Sequence, residues 1–331
     1  MLLTTAVIFR ILVSNYTSCK MNKQAKKLMY CAMQAAITEG YELQSVRSSE
    51  GDKEWLQSAV DEALGGYDTI IKHLKECVSL LSDALESSKA NVKEIEEIFQ
   101  EVADHCEDIN VACDLHKIGG FPVILSYLRS PEYHFKICAL DVLVAVAQNN
   151  EYCQNVLVDL NVIPELFQLI PLQQSPADQP EDTANLAQKS MHAVSCIVRN
   201  NKKGLNTFLK AGGLRLLQWS LQSTSNKLQL RTAFFLRSLC FDMLDFVNDA
   251  DMTQFFDIFI DLLKKSDSLD LIECVLDTIV YLTTQDKQFL TKCTDKKLEI
   301  SEIMDRLLGN PNVRNERLEI TKSCEKLKNA L

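Results

Sequence analysis

The sequence predicts an all-α protein, wound as a right-handed α-solenoid of about four repeats with helical caps at both ends. Two observations carry that expectation. Only 10 glycines and 7 prolines punctuate 331 residues, and long Leu/Ala/Glu/Lys-rich runs fill the space between them. Such a composition favours helices over strands. The second observation is a turn-then-helix pattern that recurs along the chain.

That pattern appears as IGGFPVILSYL at 118–128, LNVIPELFQLI at 160–170 and AGGLRLLQWSL at 211–221. Each begins with a short turn and runs into apolar residues about one helical turn apart, the signature of a helix with one buried face. The glycine pairs allow a positive φ where the chain is re-aimed. A second, more apolar helix follows each: HFKICALDVLVAVAQ (134–148), LAQKSMHAVSCIVR (186–199) and LRTAFFLRSLCF (230–241). A looser fourth unit reads MTQFFDIFIDLL (252–263), then IECVLDTIVYLTT (272–284). Phe121 and Ile163 are 163 − 121 = 42 residues apart, and Ile163 and Leu214 are 214 − 163 = 51 apart. The surplus falls in PLQQSPADQPED (171–182), a loop of the kind insertions make. A period near 42, with two or three helices per repeat, is armadillo-like.

The domain expectations follow from these repeats. Residues 1–20 are an N-terminal extension, and 21–50 a flexible or helical segment. An N-terminal helical cap spans 51–118, the repeats 119–285, and a C-terminal helical cap 286–331, with Pro311 inside it. Within the first cap, GDKEWLQSAVDEALGG (51–66) reads as a helix closed by Gly65 and Gly66, and YDTIIKHLKECVSLLSDAL (67–85) as another. The apolar run Leu2–Val13 lacks a basic start and carries Arg10, so it is neither a clear signal peptide nor a membrane span.

The net charge of −10 disfavours nucleic acid and anionic membrane as partners. Twelve cysteines lie singly, with no C-x-x-C pair, and read as reduced core residues of a cytoplasmic protein. Phosphate-cradling glycine loops and a G-x-S-x-G elbow are both missing from the sequence. His105, Cys106, Cys113 and His116 match no common zinc spacing, since only the two cysteines would share a helix face. The expectation is therefore a monomeric binding protein that is not an enzyme and uses no cofactor or metal.

In an armadillo solenoid the last helix of each repeat lines the concave face. Aligning the repeats puts Asp141, Ala145 and Gln148 on one rung, then His192, Cys196 and Arg199, then Phe234, Ser238 and Phe241, then Asp277, Tyr281 and Thr284. Between them, Leu143, Val146, Val194, Ile197, Leu236, Leu239, Leu276 and Ile279 form the packing set. Mixed aromatic, arginine and small residues suit a protein interface. Both LVAVAQNN (143–150) and AVSCIVRNN (193–201) end a helix on paired asparagines, one copy with Gln148 and the other with Arg199.

From Met29 onward the chain resembles the armadillo-type nucleotide-exchange factors of the 70-kDa heat-shock chaperone, the Hsp-binding-protein/Fes family. The matching stretches are MQAAITEG, EWLQSAVDEAL, LKECVSLLSDAL, CEDINVACDL, MHAVSCIVRNN with FLKAGGLRLL, and LRTAFFLRSL, in the family's order. The resemblance implies a non-enzymatic co-chaperone that cups the chaperone's ATPase domain in its concave face and promotes ADP release. It also implies contact roles for Ala112, for Asn110 in the Asn110-Val111-Ala112 stretch, and for Arg199. The partner-binding set is then Asn110, Ala112, Ala145, Gln148, His192, Cys196, Arg199, Ser238, Phe241 and Tyr281. The alternatives are an armadillo adaptor for another protein, or the endoplasmic-reticulum branch of the same exchange-factor fold. An adaptor that grips extended peptide repeats Asn and Trp along its groove, whereas the rungs here carry Ala145, Cys196, Ser238 and Tyr281.

Overall fold

The computed structural model describes residues 50–86, 91–170, 181–243, 246–247, 251–310, 313 and 317–331, with side chains from 66 onward. The expectations for 1–49, for the 171–180 insertion and for Pro311 lie outside these residues. Two compact units divide at Leu74. Among the described residues every regular element is helical.

One helix, α1 (Glu50–Glu86), runs straight through Gly65 and Gly66, so the predicted break there is absent. A helix-interior glycine costs about 0.5–1 kcal/mol relative to alanine, a penalty the flanking helix formers can carry. Next come α2 (Val92–His105) and then triplets. The first triplet is α3 (Ile109–Lys117), α4 (Gly120–Leu128) and α5 (Tyr133–Ala147). The second is α6 (Glu151–Asp159), α7 (Val162–Gln168) and α8 (Glu181–Val198). The third is α9 (Lys202–Lys210), α10 (Gly213–Leu221) and α11 (Asn226–Asp242). In the fourth, a 3-10 turn (Met252–Phe255) stands in for the first helix, followed by α12 (Phe256–Lys265) and α13 (Leu269–Gln285). The C-terminal cap takes the same form, with α14 (Lys287–Asp295), α15 (Lys297–Gly309) and α16 (Leu318–Ala330). The short first helices α6 and α9 were not separated in the sequence.

The two turn types divide the labour between geometry and packing. Gly119 and Gly212 take φ of 84° and 87°, and Asn161 substitutes in the middle copy at 57°. The second glycine of each pair serves close approach instead. A Cβ on Gly120 would lie 2.5 Å from Leu115 Cδ1, and one on Gly213 would lie 2.4 Å from the Phe208 ring. At the other end of the triplet, Asn149 and Asn200 are left-handed at 54° and 55°. Their neighbours Asn150 and Asn201 then cap α6 and α9, accepting from the Cys153 and Gly204 amides at 3.2 and 2.7 Å. The paired asparagines are thus a two-residue corner: one reverses the chain, the other starts the next helix.

The third helices pack side by side in the order α2, α5, α8, α11, α13, α16, making a ladder. Leu143, Val146, Val194, Ile197, Leu236, Leu239, Leu276 and Ile279 are all buried, as their spacing predicts. Aromatic side chains bridge neighbouring triplets: Phe167, Phe208 and Phe235 form one edge-to-face run, and Phe256 and Phe259 both meet Phe289.

Candidate functional site: one edge of the helix ladder

Along each ladder helix, residues three, four and seven apart emerge on one side. Asp141 and Ala145 on α5, His192 and Cys196 on α8, Ser238 on α11, and Asp277 and Tyr281 on α13 are half-buried, while Gln148, Arg199, Phe241 and Thr284 are exposed. Phe234 and Phe241 remain 44% and 43% exposed, large for aromatic side chains in a packed helix. The Phe241 ring stacks on Tyr281 of the next helix at 4.5 Å, and the Arg237 guanidinium lies 5.0 Å over it.

Ion pairs tie adjacent rungs. Lys189 of α8 meets Asp141 of α5. Arg199, with a side chain 48% exposed, reaches Asp242 at 3.5 Å. Arg237 meets Asp277 at 3.0 Å, and Arg317 reaches Asp270 at 2.7 Å. These are largely solvated pairs, so each contributes little to folding and serves to orient its side chain.

Gln148 and Arg199 occupy the same structural position, one residue before the left-handed asparagine of each corner. Both amides still bond back into their helices, to Val144 and Ser195 at 3.0 Å each. A buried glutamine underlies them: Gln154 Nε2 lies 3.1 Å from the Ala147 carbonyl, 2.8 Å from that of Cys196 and 3.3 Å from that of Arg199. It satisfies carbonyls at the ends of α5 and α8 that would otherwise lack partners.

Burial, with Arg231 and Lys189 nearby, pulls the His192 imidazole down to about 4. Burial pushes the Cys196 thiol up to about 11, although Arg231 and Arg199 oppose it. His192 is therefore neutral and Cys196 is an unreactive thiol at pH 7.

Two predicted contact residues are not on the ladder. Asn110 and Ala112 belong to α3, a first helix. Asn110 is exposed in the first turn, where the Asp108 carboxylate accepts its amide at 2.7 Å. Its neighbour Ile109 offers a carbonyl to Asn150 at 3.3 Å, so this turn abuts the α5–α6 corner. Ala112 is only 1% exposed and packs with Val111 and Leu115 in the core, so it offers a partner no surface. Conversely, Arg231 was missed. It sits three, seven and ten residues before Phe234, Ser238 and Phe241, on the same stripe one turn earlier.

A solenoid of stacked helix triplets, with a polar and aromatic stripe along its third helices, defines an armadillo-type α-solenoid. Designed armadillo repeat proteins superpose on it with TM-scores of 0.59 and 0.60, at 15% and 14% identity, covering 78% of this chain and 99% of theirs. The chain belongs to the SIL1/FES1/HPBP1 family, whose C-terminal domain matches residues 111–284. It is 25% identical to human Hsp70-binding protein 1 over 308 residues, covering 89% of this chain and 82% of the human protein. The mouse Hsp70-binding protein 1 is 25% identical over 286 residues, covering 84% of this chain and 78% of its own. The Hsp70 nucleotide exchange factor FES1 of Eremothecium gossypii is 28% identical over 136 residues, covering 40% of this chain and 45% of its own. No helix among the described residues is long and apolar enough to cross a membrane.

Proposed function

We propose that this protein is a monomeric cytoplasmic co-chaperone, not an enzyme. It binds the ATPase domain of a 70-kDa heat-shock chaperone through the concave side of its helix ladder and promotes ADP release. Family membership together with a stripe in which Arg199 and Phe241 are exposed and Tyr281 is half-buried supports this reading. Arginine and aromatic residues on a rigid surface are the usual anchors of protein interfaces. The mechanism is differential affinity: the ladder binds the open, ADP-releasing conformation of the ATPase domain better than the closed one, and shifts its population accordingly. The ten free cysteines among the described residues, seven of them buried, suit a reducing compartment.

Stopped-flow release of a fluorescent ADP analogue from the chaperone tests the proposal. Release accelerates with added protein; unchanged release at saturating protein would overturn it. Arg199→Ala weakens binding by roughly tenfold, as loss of an interface arginine does. Its unfolding free energy stays within about 0.5 kcal/mol of wild type, because the side chain is solvated and its loss opens no cavity.

A further inference from the structure

The arginines of the ladder are unequal. Arg199, Arg237 and Arg317 each reach a carboxylate on a neighbouring helix or turn. Arg231 is half-buried and has no hydrogen-bond or ion-pair partner among the described residues. It lies on α11 where that helix packs against α8, close enough to His192 and Cys196 to act on both electrostatically. Asp141, on α5 at the other side of α8, is already held by Lys189. The middle of an otherwise acidic chain therefore presents a cation that no described residue of the ladder pairs with.

We propose that Arg231, flanked by His192 and Arg199, is the seat for a carboxylate side chain of the partner protein. This rests on the chaperone-binding reading above. Arg231 is half-buried as a residue and holds no partner among the described residues, so an incoming carboxylate pairs with it without first breaking an ion pair of the free protein. The planar guanidinium favours a two-point contact with a carboxylate, which fixes register as well as adding affinity. His192, neutral and half-buried, offers a ring nitrogen as a further hydrogen-bond donor without adding a competing charge. The aromatic pair Phe241–Tyr281, further along the same side, gives an apolar seat beside the charged one. The partner surface that fits has an Asp or Glu next to an exposed apolar side chain.

Calorimetric titration of full-length wild type, Arg231→Gln and Arg231→Lys into the isolated chaperone ATPase domain, at low and high salt, tests the assignment. Arg231→Gln binds at least roughly tenfold more weakly at low salt. Its affinity also depends less on salt, because one charge contact is gone. Arg231→Lys recovers part of the loss. Thermal melts of all three proteins agree, since Arg231 makes no ion pair with any described residue of the free protein. Wild-type binding with an unchanged affinity and salt slope in Arg231→Gln overturns the carboxylate seat alone. No binding by wild type overturns the chaperone reading and this inference with it.

Discussion

At the level of single side chains, His192 gives the folded protein a pH dependence. Its imidazole titrates at about 4 when folded, chiefly because it is buried, with Arg231, Lys189 and Arg199 adding to the fall and Asp141 opposing it. In the unfolded chain a histidine titrates near 6.5. Between those values the unfolded state binds the extra proton, so stability drops as pH falls from about 6.5 towards 4. His192→Gln removes this contribution. Urea unfolding at pH 7 and pH 4.5 should show wild type losing more stability than the variant over that interval. Parallel losses would mean that His192 does not stay neutral in the fold. The same residue scale decides Ala112. Its position three before the core residue Leu115 places it on the buried face of α3, a pattern that outweighs the resemblance that had suggested a contact role.

At the scale of elements, the corners between triplets carry the regularity of the fold. Asn149 and Asn200 are needed only for their left-handed backbone, so Asn200→Gly should change stability by less than about 0.5 kcal/mol. Gln154→Leu, of similar bulk, should cost roughly 1–3 kcal/mol, because it leaves buried carbonyls at the ends of α5 and α8 without a donor. Chemical denaturation of the two variants separates these roles, and a costly Asn200→Gly would show that its side chain matters as well. The corners were legible in the sequence because positive φ requires glycine or asparagine, and those residues recur at the repeat period. The continuous α1 was not legible, since Gly65-Gly66 reads equally as a helix end. Nine-residue helices such as α6 and α9 were hidden for another reason: their start depends on asparagine caps rather than on a long periodic run. Arg231 was missed because its stripe begins one turn before the aromatic residues that marked it.

For the whole molecule, stacking makes stability a sum of neighbour contacts, so damage at one end should spread only as far as those contacts reach. Removing 286–331 takes away Phe289, whose ring meets Phe256 and Phe259 at 5.7 and 6.3 Å, and strips α16 from the flank of α13. Ser323 and Arg317, which bond Asp277 and Asp270 at 2.8 and 2.7 Å, leave with it. The truncated protein should therefore melt at a lower temperature and bind an apolar dye through the uncovered α12–α13 face. Hydrogen exchange should show the loss graded along the solenoid: amides of α12 and α13 lose protection, those of α11 lose less, and those of α5 and α8 keep theirs. The Arg199 and Arg231 seats would then persist, and binding to the chaperone ATPase domain would fall only by what Tyr281 contributes. Uniform loss of protection from α5 to α13 would instead show that the triplets fold as one all-or-none unit, with the C-terminal triplet setting the stability of the distant binding stripe.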